Sequence, residues 1–297
     1  MREPPTGVAP VDVLAAVSRH WDVSLDRVEH LPVGFGAHHW AAYVGGTPRL
    51  FVTLDGLEPR HTAAELESAY AGAASLRDAG LTFVLAPVPT AARTFTAPFA
   101  ECALSCTPWR DAEIEGPSDL PWTTDALSRL HATPPPPGIP RWRPLVGADL
   151  ADTTAALVRR EWGPGPHADA ARDAVRRHLG DLDRWTARYH RLAEAARDRT
   201  WVATHGEPGE HNQLVTTEGR LLVDWESLTL APAERDLRTL VDEGAETDAE
   251  PEMLELFDLE WRLDEINQYA AWFAAPHTGN ADDDIAFADL LEELARE

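Results

Sequence analysis

Residues 200–240, TWVATHGEPGEHNQLVTTEGRLLVDWESLTLAPAERDLRTL, constrain what this chain can fold into more than any other stretch. Two short apolar runs, 201–204 and 221–225, have the composition of strands, and each ends in a polar cluster. His205, Gly206, Glu207 and Asn212 lie between the runs, and the second run delivers Asp224, followed closely by Glu226. Strands that end in chemistry-bearing side chains imply a scaffold that gathers those ends in one place.

Glu207 offers an oxygen base, Asn212 an amide and Asp224 a carboxylate. A magnesium-dependent phosphoryl transfer uses such a set. The base orients the acceptor hydroxyl, while the amide and the carboxylate hold the metal that neutralises phosphate oxygens. An acid-rich strand–turn–strand that holds no metal is the plain alternative. The order and spacing of the whole set resemble the active site of the aminoglycoside phosphotransferase family, small-molecule kinases with a protein-kinase-like fold. That family carries His-Gly-Asp, then Asn, then an Asp in an apolar strand. Here His205, Gly206, Asn212 and Asp224 match, and Glu207 stands at the position of the catalytic Asp. The segment LAPAERDL, 230–237, further resembles the spectinomycin phosphotransferase branch, which implies a structural anchoring role for Asp236.

Composition narrows the partners. A length of 297 residues allows one large or two modest domains, and a hydrophobic content of 44% is ordinary for a soluble chain. No apolar run approaches the roughly 20 residues that span a bilayer. The start, MREPPTGVAP, lacks the apolar core of a signal peptide, so a cytoplasmic location and no membrane partner are expected. Cys102 and Cys106 are too few for a disulfide framework or a zinc cage, and read as small buried apolar residues. The formal charge of −24 argues against nucleic acid as partner. It suits a cationic substrate, and equally suits acidity that serves only solubility. All 26 basic residues are Arg, with no Lys among them.

Ahead of the acidic cluster, residues 11–21 have helical apolar spacing and 26–33 read as a first strand. GFGAHHW follows at 34–40, where Gly34 and Gly36 let backbone amides approach a phosphate closely, although the same pattern also makes a plain hairpin turn. It resembles the family's phosphate-covering loop, with His38 and His39 at its end. Residues 40–44, the turn GGTP and residues 50–54 form a hairpin. In the kinase pattern the strand after this turn carries a Lys that pairs the nucleotide phosphates. Thr53 stands at or near that position, so a cation must come from Arg49, His38, His39 or the magnesium alone. Residues 61–79 read as a helix capped by Gly80. It resembles the small-lobe helix whose Glu pairs that Lys, with Glu65 and Glu67 as candidates or else as solvated charges. Residues 82–85, 94–99 and 103–107 read as strands. The resemblance sets the nucleotide's adenine edge against backbone groups of Ser105 and Thr107, in a hinge at 103–109.

Further on, 122–132 read as a helix whose His131 packs or caps, 134–137 as a proline connector, and 148–161 and 167–196 as helices parted by GPGP. Helical spacing over 254–273 carries Glu260, Asp264 and Glu265. Family members bind cationic sugars through acidic residues in this region. The resemblance therefore implies that these three, with Glu226, contact substrate; surface charge on an amphipathic helix is the other reading. The implied fold is α+β and protein-kinase-like, with an antiparallel-sheet N-lobe over 1–107 and a mainly helical C-lobe over 108–297. The implied activity is Mg2+-dependent transfer of the γ-phosphate of ATP or GTP to a hydroxyl of a small cationic molecule such as an aminoglycoside-like antibiotic. Glu207 would be the base and His205 the brace of its loop. The longer side chain of Glu207 and the absent Lys leave two rivals: a silent kinase-like binding protein, and a kinase-fold enzyme that modifies a natural-product peptide.

Overall fold

The computed structural model describes residues 1–21, 23–57, 60–112 and 119–296. In chain order its first elements are α1 (Pro10–Trp21), β1 (Arg27–Leu31), β2 (His38–Val44), β3 (Thr47–Gly56), α2 (Ala63–Asp78), β4 (Thr96–Phe99) and β5 (Cys102–Pro108). Helices α3 (Leu120–Ala132), α4 (Leu150–Val158), α5 (Ala168–Arg177) and α6 (Leu179–Ala196) follow. Then come β6 (Trp201–Thr204), β7 (Gln213–Thr216), β8 (Gly219–Leu222), β9 (Thr229–Pro232), α7 (Glu234–Asp242), α8 (Pro251–Ala274) and α9 (Ala281–Ala295). The fold is α+β, with the sheet in the N-terminal part and helices dominating the rest.

Compaction groups these elements into two units, one of Met1–Trp142 with Thr200–Asp248, the other of Arg143–Arg199 with Ala249–Glu297. In the first, an antiparallel sheet runs in the order β1-β2-β3-β5-β4. The period of two along β3 sends Leu50, Val52 and Leu54 to the core, beside Trp40 and Ala42 of β2 and under Val13 and Val17 of α1. Residues 51, 53 and 55 therefore share the opposite face, joined there by their ladder partners, which include His39 and Ser105.

Helix α2 begins with a capping box between Thr62 and Glu65. Glu67 accepts from the backbone N–H groups of Phe95 and Thr96 and from the Thr96 hydroxyl, which ties the helix to β4. Of the two glutamates that the sequence offers as lysine partners, Glu65 thus caps its own helix and Glu67 fastens the helix to β4. Leu66, Ala69, Ala73 and Leu76 of α2 pack on Leu127 and Leu130 of α3 and on Leu222, Trp225 and Leu240. Pairs β6–β9 and β7–β8 carry the motif of residues 200–240 on this core.

Three local expectations change. Residues 82–85 form a turn, with Val84 bridging Leu222 in parallel. The run 221–225 stops being a strand at Leu222, because Asp224 is left-handed. The helix expected over 167–196 breaks at His178, whose ring Nδ1 donates to the Ala174 carbonyl and so competes with the helix ladder. In the all-helical second unit, α8 packs against α6 and α9, and Arg262 lies 3.7 Å over the Trp185 ring. Among the described residues no helix is long and apolar enough to cross a membrane.

Gly72 sets how closely α2 lies on the segment after Asp224. A Cβ there would stand 2.4 Å from Ile139 Cγ2 and 2.8 Å from Leu228 Cδ2. Helix propensity favours Ala over Gly by up to about 1 kcal/mol, whereas overpacking a filled core costs about 1–3 kcal/mol. Gly72→Ala is expected to lower the urea midpoint. A midpoint at or above wild type would show that the two methyl groups yield freely.

Candidate active site

Asp236, in the first turn of α7, is fully buried. Its carboxylate accepts from the backbone N–H of His205 (3.0 Å), from that of Gly206 (2.6 Å) and from His131 Nε2 (2.9 Å). Burial is the largest influence on this carboxyl and pushes its pKa up. The His131 hydrogen bond and charge, with the charge of Arg235, outweigh it and hold the group below the ordinary carboxylate range. Gly206 has φ 102°, and a Cβ there would meet the Arg235 guanidinium at 2.4 Å, so the turn requires glycine.

The His205 ring is completely buried and edge-on to Trp225. Its Nε2 lies 2.8 Å from the Val223 carbonyl and therefore carries the hydrogen, which leaves Nδ1 to accept from the Glu207 N–H at 3.2 Å. Burial above all lowers its pKa, so the ring is a neutral brace for the loop. Val223 is held from both sides, since its N–H donates to the Asn212 carbonyl at 2.9 Å. Asn212 Nδ2 in turn donates to the Glu207 carbonyl at 2.9 Å. Asp224 follows with φ 64° and ψ 61°, a left-handed conformation that Asp tolerates better than most residues. Glu207, Asn212 and Asp224 thus hang on one hydrogen-bonded frame.

The Glu207 carboxylate meets His211 Nε2 at 2.9 Å, with side-chain exposures of 38% and 59%. Burial of the glutamate raises its pKa, but the His211 hydrogen bond and charge, helped by Arg60, leave it below the usual range. Glu207 raises His211 in return. His211 is a site residue that the sequence reading missed, although its place four residues after Glu207 was a visible signal.

The Asp224 carboxyl is pushed well above its ordinary value, by desolvation first and then by Glu226 and Glu207. Asp55 behaves likewise under burial, Glu226 and Asp224. Glu226 itself has His61 Nε2 at 3.9 Å. Among the described residues no group of three or more His, Cys, Asp or Glu side chains is arranged to cage a metal ion. Magnesium rarely uses such cages; one or two carboxylates with substrate phosphates and water suffice. Asn212, whose amide nitrogen is spent on the loop and whose oxygen remains as an acceptor, fits that chemistry together with Asp224.

On the sheet face, Thr53 pairs with His39 and Ser105. Asp55, two residues along, is 1% exposed and takes the Tyr70 hydroxyl at 3.1 Å and the Ser105 hydroxyl at 3.3 Å, while its Oδ1 has no hydrogen-bond partner. Asp55 and Tyr70 were also missed. The strand period sets Asp55 beside Thr53, and that was readable. Gly34 and Gly36 both have positive φ (70° and 88°), as the loop requires. The His39 pKa is pushed down to about 3, chiefly by burial, so this ring brings no positive charge; His38 lies on the opposite face, near Trp40. The Cys106 carbonyl accepts from Val88, and Trp109 donates to Arg49. By antiparallel alternation the backbone groups of Ser105 and Thr107 point to β3, and their side chains are what they present to the site. Glu260, Asp264 and Glu265 lie on α8 in the second unit, where Glu260 (5% exposed) accepts from Tyr189, Asp264 (6% exposed) accepts from Gln268, and Glu265 is half-buried.

Because the folded pKa of Asp236 is depressed, its contribution is present at neutral pH and is lost as pH falls through that lowered value. Removing one partner of a buried charge pair costs about 3–5 kcal/mol. Asp236→Ala should lose stability on that scale at pH 7 by urea unfolding, and the gap to wild type should narrow in strong acid. A gap independent of pH would sink the assignment.

Comparison with known proteins shows the family and the fold. The phosphotransferase enzyme family profile matches residues 31–274. Protein StrN of Streptomyces griseus is 29% identical over 244 residues, which is 76% of this chain and 76% of that protein. The structure of a spectinomycin phosphotransferase in complex with ADP and spectinomycin superposes with a TM-score of 0.71 at 14% identity, covering 98% of this chain and 96% of the other. An amicoumacin kinase in complex with AMP-PNP and Ca2+ gives a TM-score of 0.57 at 11% identity, covering 95% and 92%. At such identities the structures establish the fold, that of the kinase-like aminoglycoside phosphotransferases. With the family match spanning most of its length, the chain belongs to the phosphotransferase enzyme family and is a phosphotransferase acting on a hydroxyl group of a small molecule.

Proposed function

We propose that this enzyme moves the γ-phosphate of ATP or GTP, with Mg2+, to a hydroxyl of a small cationic molecule of the antibiotic type. The observation that carries this reading is the shared frame of His205, Val223 and Asn212, which holds Glu207, Asn212 and Asp224 in fixed relation. Glu207, kept ionised by its low pKa, accepts the proton of the acceptor hydroxyl. Asn212 and Asp224 hold the metal, which when bound neutralises phosphate oxygens. Backbone amides of the loop at Gly34 and Gly36 cover the phosphates, and the division into an N-lobe over 1–107 and a C-lobe over 108–297 is the working one for this mechanism.

With no Lys in the chain, and with Asp55, Tyr70 and Ser105 filling the face beside Thr53, no ammonium opposes the carboxylates there. Nucleotide binding must then rest on the metal more than it would with a lysine in place. Retention of an intact Asn212–Asp224 pair supports an enzyme over a silent binder. The structural neighbours, a spectinomycin phosphotransferase in complex with spectinomycin and an amicoumacin kinase, support an antibiotic-like acceptor. The formal charge of −24, with Glu226 close in sequence to Asp224, supports a positively charged one.

Two tests follow from the chemistry. A ligand that binds only the native state raises the melting temperature. Wild type should show a nucleotide shift that needs magnesium, and Asp224→Ala should lose it; a mutant that keeps the whole shift would refute the metal assignment. Glu207→Gln should lower kcat at least tenfold on the true substrate with nucleotide affinity nearly unchanged. In His211→Ala the glutamate loses the bond that lowers its pKa while burial still raises it, so the acid limb of the pH–rate profile should move to higher pH. An unmoved limb would mean that Glu207 is not the titrating base.

A further inference from the structure

Four arginines, Arg159, Arg160, Arg172 and Arg176, line one cavity of about 470 Å3 on the helical unit, against an apolar wall of Val158 and Leu179. The chain holds 50 acidic residues and 26 arginines, so a local surface is acidic by default. Glu161 is the one acidic residue in the lining itself. Arg172 and Arg176 are each engaged by an aspartate one turn earlier, Asp169 at 2.9 Å and Asp173 at 2.8 Å. Arg159 and Arg160 are exposed, and among the described residues neither has an ion-pair partner. Arg172 also keeps an enclosed Nε without a hydrogen-bond partner.

Helix ends explain part of this. Arg159 caps α4 and Arg176 lies in the last turn of α5, where a cation offsets the helix dipole. That account covers neither Arg160 nor Arg172, nor the convergence of all four on one concavity. The two arginines without an ion-pair partner, beside two that are each held by one aspartate, leave positive charge for an anion to relieve, and guanidinium forks match the paired oxygens of phosphate and carboxylate. The volume falls in the range of small-molecule sites and leaves room beyond one oxyanion group.

We propose that this cavity binds a small molecule through a polyvalent oxyanion, either phosphate or polycarboxylate. The site shares no residue with the Glu207–Asp224 frame and stands whether or not the mechanism above is right. Calorimetry on the full chain in EDTA, with inorganic pyrophosphate and separately with citrate, tests it. Saturable binding of one equivalent is expected, weakening as salt rises. Pyrophosphate binding alone identifies the phosphate source, and citrate alone the polycarboxylate source. Arg159→Ala/Arg160→Ala should raise Kd at least tenfold, with the urea midpoint unchanged because both side chains are exposed. Arg172→Gln should weaken binding severalfold on its own. Failure of both anions to bind, or undiminished binding in the double variant, would overturn the proposal.

Discussion

The site depends first on a carboxylate that performs no chemistry. Asp236 is sealed in the core, and its two oxygens take two successive backbone N–H groups and one imidazole. A buried charge without such partners would cost several kcal/mol, so this one is stable only while the loop stays in place. Dependence runs both ways. The loop has its shape because Asp236 holds His205 and Gly206, and Asp236 remains ionised because the loop and His131 surround it. Rigidity is then passed on through Val223, whose carbonyl and N–H are both taken, to Asn212 and so to the Glu207 carbonyl. Every link in this chain involves backbone, which positions more tightly than a contact between two side-chain tips.

Charge is arranged against the habit of phosphate sites. Burial and nearby carboxylates raise the proton affinity of Asp55 and of Asp224, and the sheet face offers a hydroxyl and a tyrosine where a lysine would be expected. Such a cluster is unfavourable alone and becomes favourable when a cation enters. On the proposed mechanism the metal therefore serves both partners, relieving the carboxylates and the phosphates together. On that mechanism the nucleotide site would be weak until the metal arrives, and its occupancy would follow magnesium supply.

Much of this was legible in the sequence. The turn GGTP between two strand-like runs marked the hairpin, the order of His205, Gly206, Asn212 and Asp224 marked the motif, and the likeness of LAPAERDL pointed to Asp236. What was not legible depends on partners distant in sequence. Glu67 looks like a free helix charge until β4 is folded against it. Nothing local says that His131 lies against Asp236, a residue 105 positions away. The break at His178 turned on a side-chain hydrogen bond to Ala174 that periodicity does not register. Glu260 and Asp264 read as a solvated or substrate-facing cluster, but burial of an acid is decided by what packs over it, here Tyr189 and neighbouring turns.

Glu207 is the sharpest departure from the family pattern, and the structure supplies a physical reason for it. One extra methylene shifts a carboxylate by about 1 Å, enough on its own to cost about 100-fold in rate if the loop were otherwise unchanged. The carboxylate is not positioned by side-chain length alone, however. Its backbone carbonyl is drawn toward Asn212, and one of its oxygens is held by His211 at 2.9 Å. Those two tethers, one at each end of the side chain, fix where the charge sits. An aspartate on the same backbone would fall short of His211 and lose both its orientation and the lowered pKa that this imidazole confers. Glu207 and His211 are therefore best understood as one unit in which the longer acid and its partner belong together.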